Sequence, residues 1–158
     1  MIKSVAIIIP CYNSSNTLTR AIDSIINQSF PVNEVIVVDD YSIDSVQIEE
    51  ICNLYDSVKY IKNKKNLGLA GSRNKGVSFA ISDIIAFLDA DDQYHKHKIE
   101  MQLRYINKKN AVSTDAKKID ITSLADINET LSLNPNTKIF KSPYQNLLFN
   151  RLVGSSLM

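Results

Sequence analysis

The sequence predicts an α/β protein built on a mostly parallel sheet with helices on both faces. Three observations carry that reading. Short β-branched runs alternate with stretches of helical period along the first two thirds of the chain. Each apolar run gives way to a polar or acidic tip, the arrangement expected where parallel strands end at one crevice. Glycine is scarce, 4 in 158 residues where average usage gives about eleven. Three of the four glycines, Gly68, Gly71 and Gly76, fall in one short segment. Such clustering marks backbone that needs unusual torsion angles or close approach to another group.

The elements follow in order. Val5-Ala6-Ile7-Ile8-Ile9 reads as a strand buried on both faces and ended by Pro10. Leu18, Ala21, Ile22, Ile25 and Ile26 recur at helical spacing behind the capping candidates Ser14, Ser15 and Asn16. Val35–Val38 is a second buried strand, closed by Asp39-Asp40. Ile48, Ile51, Cys52 and Tyr55 form the next helical stripe, with Asp44 or Ser45 as its cap. Val58–Ile61 gives a third strand, and a helix from about Leu69 to Ile81 follows, opening with the glycines. Ile84–Leu88 is a fourth strand running into Asp89-Ala90-Asp91-Asp92, and Ile99, Leu103 and Ile106 line a fourth helix. After about Asn110 the pattern loosens. Residues 111–120 supply one or two strands, Leu124–Leu131 and Pro143–Asn150 short helices, and a further strand starts near the end of the chain, which reads as a cut. Residues 1–110 form the expected nucleotide-binding half, and 111–158 the beginning of a second half.

Composition excludes several classes. Lys+Arg 18 against Asp+Glu 17 leaves a net charge of +1, so nonspecific binding to a nucleic-acid backbone is disfavoured. No stretch reaches the ~20 apolar residues of a membrane span. Nothing resembles a signal peptide, and Cys11 and Cys52 make no metal or redox spacing. A reducing cytoplasm suits them.

The chemistry concentrates at strand tips. Asp89-Ala90-Asp91 alone reads as an acidic turn that caps the next helix. Its place after a five-residue apolar strand, with a second Asp pair at another tip, turns the reading to a metal site. Hard divalent cations are held by one or two carboxylates plus substrate phosphates. Asp39-Asp40 could accept hydrogen bonds from a base or a ribose, and the same residues also suit a turn. Tyr12, with Asn13 beside it, offers a ring for stacking, although a lone tyrosine in such a loop more commonly packs. The segment from Gly68 to Gly76 opens a helix, and its amides with Arg73 and Lys75 suit an anion. It is neither a P-loop nor GxGxxG. His95 and His97, at alternate positions entering a helix, have diverging rings and stay outside the site.

Five blocks in order resemble glycosyltransferase family 2 over roughly the first two thirds of the chain. They are Val5–Asn13, Ile25–Ser29, Glu34–Asp44, Asn66–Gly76 and Phe87–Asp92. The resemblance implies the GT-A fold and an inverting, metal-dependent hexosyltransferase. Its donor is a nucleotide sugar, a UDP-sugar, and its acceptor a glycan or lipid-linked sugar in polysaccharide or cell-surface glycan synthesis. It implies that Pro10 and Tyr12 flank the base, that Asp40 bonds the uracil with Asp39 beside it, and that Arg73 supports the donor. Asp91 would ligate Mn²⁺ or Mg²⁺, and Asp89 would face the ribose and the metal shell. The donor set is thus Pro10, Tyr12, Asn13, Asp39, Asp40, Gly68, Arg73 and Asp89, and the metal set Asp91 and Asp89. Ser72 stands where the family has Ala, and Tyr94 where an aromatic follows the Asp pair.

The family's general base is a carboxylate many residues further on. Asp115, Asp120, Asp126 and Glu129 are the nearest downstream carboxylates, none in a Glu-Asp pair, so the base is expected beyond Met158. A nucleotide-binding fragment without turnover is therefore the alternative reading. A nicotinamide dehydrogenase is disfavoured because Pro10-Cys11-Tyr12-Asn13 stands where the glycine fingerprint belongs. A phosphatase would carry its Asp pair after the first strand. The expected location is cytoplasmic, with the parent enzyme peripheral to the inner face of the membrane.

Overall fold

The computed structural model describes residues 4–106 and three two-residue strands at 111–112, 139–140 and 152–153. Four strands, β1 (Val5–Cys11), β2 (Glu34–Asp39), β3 (Val58–Lys62) and β4 (Ile84–Phe87), lie parallel in the order β3-β2-β1-β4. Central β1 pairs on both sides: Ile7 stands opposite Val35 of β2 and Ala86 of β4. Parallel neighbours need crossovers, which α1 (Ser15–Ile26), α2 (Ser45–Asn53) and α3 (Gly68–Phe79) supply, and α4 (Lys98–Tyr105) follows β4.

Two apolar layers explain why the strands read as unbroken β-branched runs. On one face Val5, Ile7 and Ile9 pack with Leu18, Ile22 and Ile25 of α1, Ile48 of α2 and Ile99 of α4. On the other, Ile8, Ile36, Val38, Ile61 and Ile85 pack with Val77 of α3. Every residue of β1 is buried, so neither face has room for the polar residues of a half-exposed strand.

β5 (Ala111–Val112), β6 (Ile139–Phe140) and β7 (Leu152–Val153) continue the sheet as β4-β7-β5-β6. β7 runs parallel to β4, and among the described residues only the β5–β6 pairing is antiparallel. β5 falls within the expected strand segment after Asn110. The helices expected at Leu124–Leu131 and Pro143–Asn150, and the terminal strand, lie outside the described residues.

Pro10 does not end the first strand, contrary to expectation. β1 continues through Pro10 to Cys11, opposite Val38 and Asp39. The Ile8 carbonyl accepts from Leu88 on the β4 side, whereas the Cys11 carbonyl accepts from Asp40 on the β2 side. By alternation the ring nitrogen of Pro10 faces the β4 side, where strand pairing has already ended at Ile8–Phe87. The missing N–H therefore costs no ladder bond.

The caps also depart from local expectation. Ser14 is the N-cap of α1 but caps nothing with its side chain; its Oγ donates to the Tyr12 carbonyl. Asp44, N-cap of α2, instead accepts the Ser15 N–H at the start of α1 (2.9 Å). One carboxylate thus ties the β2–α2 loop to the neighbouring helix start, a favourable place for negative charge.

The glycines behave as their clustering predicts. Gly68 has φ +72°, and a Cβ on Gly76 would strike Ile8 Cγ2 of β1. The absent side chain lets α3 lie directly on the central strand.

Candidate functional site

The carboxyl ends of β1 and β2 are joined by the Asp40 N–H donating to the Cys11 carbonyl (2.8 Å). Beyond them opens a cleft of about 330 Å³ lined by Pro10, Cys11, Tyr12, Asp40, Asn66, Gly68, Leu69 and Ser72. Four of the expected donor residues, Pro10, Tyr12, Asp40 and Gly68, therefore meet in one place. Tyr12 is half exposed at 53%, so one ring face is open to a ligand. The Cys11 thiol is pushed up to about 12 by burial and by the nearby Asp39 charge. It lines the cleft as a protonated, unreactive wall.

Adjacent aspartates take different parts. Asp39 is fully buried and is absent from the cleft lining. Its Oδ1 accepts the Ser42 N–H (2.9 Å), while Oδ2 accepts the hydroxyls of Ser45 and Tyr60 (2.7 Å for Tyr60). Burial alone would raise its pKa, but those donors outweigh it and hold the carboxyl below its ordinary range. Asp40 does line the cleft. Its Oδ1 accepts the Leu67 N–H (2.8 Å) and Asn63 Nδ2 (2.7 Å). Burial again works upward, and the donors at Leu67, Asn63, Ser72 and Gly68 prevail, so Asp40 is held charged. A charged carboxylate is acceptor-only.

Asn13 also stays out of the cleft lining. At φ 52° its backbone is left-handed, its N–H donates to Ser42 Oγ (3.0 Å) and its Oδ1 accepts the Ile43 N–H (2.9 Å). It clamps the β1 and β2 loops together, which sets Tyr12 beside Asp40.

The acidic turn lies one strand away. Leu88 still bonds to β1, and the Asp92 N–H closes a turn on the Asp89 carbonyl (3.0 Å). Tyr94, buried, donates its hydroxyl to the Phe87 carbonyl (2.5 Å). This returns the turn to the strand that produced it. Arg73, one residue after Ser72 of the cleft, pairs with Asp89 Oδ1 (2.7 Å) and lies over the Phe87 ring, 5.4 Å from its centroid. α3 thereby links the cleft to the acidic turn.

Among the described residues no three metal-ligating side chains converge. Two features fit a hard cation completed by phosphate oxygens. Asp91 is exposed and its carboxylate bonds to no described residue. The Asp92 carboxyl is raised by burial and by the charges of Asp91 and Asp89, against a lowering contribution from Arg20, so the turn concentrates negative charge.

Sequence reasoning missed Asn63, which is 1% exposed and holds Asp40 and Ser72 together (2.7 and 3.0 Å). Its place at the carboxyl end of the third strand was the available signal. The histidine rings do not diverge. Their centroids lie 5.7 Å apart, and His97 Nδ1 is 3.5 Å from Glu100.

The family model for glycosyl transferase family 2 matches residues 6–154. The chain belongs to glycosyl transferase family 2. An uncharacterized glycosyltransferase of Rickettsia felis is 38% identical over 79% of the chain and 20% of that protein. The UDP-Glc:α-D-GlcNAc-diphosphoundecaprenol β-1,3-glucosyltransferase WfgD of Escherichia coli is 35% identical over 67% of the chain and 42% of its own length. The crystal structure of S. aureus TarS 1-349 in complex with UDP superposes with a TM-score of 0.59 at 30% identity. It covers 69% of this chain and 34% of TarS 1-349. The chain thus spans less than half the length of each of these relatives. The GT-A fold expected from the sequence is the fold observed.

Proposed function

We propose that this chain carries the donor site of an inverting, metal-dependent hexosyltransferase that uses a UDP-sugar in polysaccharide or cell-surface glycan synthesis. The observation that carries this reading is the meeting of Tyr12, Asp40 and the Gly68 helix start at one cleft. Arg73 leads from there to Asp89 of the acidic turn. TarS, the solved relative with UDP bound, supports a uridine nucleotide. The name of the E. coli relative supports a diphosphoundecaprenol-linked acceptor, and with it a cytoplasmic enzyme at the inner membrane face.

The residues divide the work. Tyr12 stacks on the base with Pro10 at its edge, and Asp40 accepts the uracil N–H. Asp39 and Asn13 take no ligand contact; they hold the two loops in register. Arg73 keeps Asp89 in place. Asp91 and Asp89 would hold Mn²⁺ or Mg²⁺, which when bound neutralises charge on the departing diphosphate. No described residue is assigned as general base; Asp115, Asp120, Asp126 and Glu129 lie outside the described residues.

Base recognition is the direct test. Cytosine lacks the donor that uracil presents at the same ring position, and a site built for a polar contact rejects ligands that leave it unpaired. UDP should bind more tightly than CDP, and Asp40→Asn should weaken UDP binding more than CDP binding. Equal losses for both nucleotides would make Asp40 a structural residue and remove the base assignment.

A further inference from the structure

The acidic turn at the end of β4 is held from two sides. On one side Arg73 of α3 pairs with Asp89. On the other, Arg20 of α1 donates from Nη2 to the main-chain carbonyl of Asp91 (3.1 Å), a contact between residues 71 apart in sequence. Arg20 is partly buried, and its Nε is buried without a described hydrogen-bond partner. The guanidinium thus reaches the turn by its Nη2 alone. The carboxylate of Asp91 is left without a bond to any described residue.

We propose that Arg20 is a positioning residue for the metal ligand Asp91. The inference rests on reading Asp91 and Asp89 as the metal carboxylates of the donor site. The turn itself is short, closed by the single backbone bond from Asp92 to Asp89. Displacement of the backbone at Asp91 would move its Cα, and with it both the carbonyl and the carboxylate. A guanidinium on that carbonyl opposes the displacement. Arg20 spends its hydrogen bond on the main chain, so it orders Asp91 without occupying the side chain that must meet the cation.

Two effects of Arg20 on a metal have opposite signs. Its positive charge repels a cation, while its hydrogen bond orders a ligand. Loss of an outer partner of a metal ligand typically costs 10–100-fold in metal affinity. Ordering therefore dominates over a repulsion that water at this exposed turn screens.

The test uses this chain with UDP and Mn²⁺ as probes. UDP affinity is measured by calorimetry with Mn²⁺ and with EDTA for wild type, Arg20→Gln and Arg20→Lys, and amide exchange is followed at residues 90–93. In Arg20→Gln the metal-free affinity should stay within about two-fold of wild type. The gain conferred by Mn²⁺ should shrink about ten-fold or more, and exchange in the turn should quicken. Arg20→Lys, which keeps one donor and the charge, should recover part of the gain. An unchanged or larger Mn²⁺ gain in Arg20→Gln would overturn the proposal and leave the donor-site reading intact. Loss of metal-free binding in both variants would make Arg20 a general fold residue and also overturn it. A wild type without any Mn²⁺ gain would overturn the metal reading and this inference together.

Discussion

Asp39 and Asp40 show how neighbouring residues of one type separate into support and contact. Asp39 gives both oxygens to its own loop and to Tyr60 of β3, whereas Asp40 reaches the cleft lining. Both carboxyls are held below the ordinary range. The unfolded value lies near ~3.9. Their stabilising contribution is full above that value and is lost as pH falls through the lower folded values. Urea unfolding at about pH 7 and about pH 3 should show this acid loss in the wild type, and Asp39→Asn should flatten it. An equal pH dependence in the two proteins would contradict the assignment. Tyr12 has a separate test. Stacking of a base on an aromatic ring is worth about 1–3 kcal/mol, so Tyr12→Ala should weaken UDP binding by roughly five-fold to a hundred-fold while leaving its metal dependence intact. A variant that binds UDP as wild type does would remove the ring from the site. The positions of Tyr12, Asp40 and the acidic turn at strand ends were legible in the sequence, while their expected roles came from the family resemblance. Asn63 was not singled out, and Asn13 was expected at the donor rather than as a clamp, because both make contacts between loops that lie 20 or more residues apart in the chain.

The glycines of α3 set the distance between helix and sheet. At Gly76 an added methyl meets Ile8, which is fixed in the central strand between two neighbours. Alanine favours a helix over glycine by about 1 kcal/mol, yet overpacking costs about 1–3 kcal/mol. Gly76→Ala should therefore lower the Tm by a few degrees in a thermal melt, and an increase would show that α3 can move off β1. At Gly68 space is open but φ is +72°. A left-handed L-residue costs roughly 1–2 kcal/mol, so Gly68→Ala should also destabilise, and Gly68→Asn should do so less. Periodicity revealed each helix and strand of the first half because both sheet faces are covered. It missed the passage of β1 through Pro10, since whether proline breaks a strand depends on which neighbour its nitrogen faces. Ser14 was rightly placed as the cap of α1, but the carboxylate that bonds the start of that helix, Asp44, belongs to another loop and could not be read from local sequence.

Three strand ends of one sheet supply the aromatic and acidic side chains of the candidate site: Tyr12 after β1, Asp40 after β2, and Asp89 with Asp91 after β4. α3 spans from the cleft to the acidic turn, beginning at Gly68 and reaching Asp89 through Arg73. A parallel sheet brings these ends to one edge, so residues some eighty positions apart in sequence stand beside one another. Among the described residues no helix is long and apolar enough to cross a membrane. The central claim is that the three tips act together on a nucleotide diphosphate, with the base at β1 and β2 and the phosphates shared with a cation at β4. Calorimetric titration of the chain with UDP, first with Mn²⁺ and then with the metal chelated, tests it most directly. UDP should bind in both conditions and distinctly more tightly with Mn²⁺. Equal affinity in the two titrations, or no binding in either, would contradict the account.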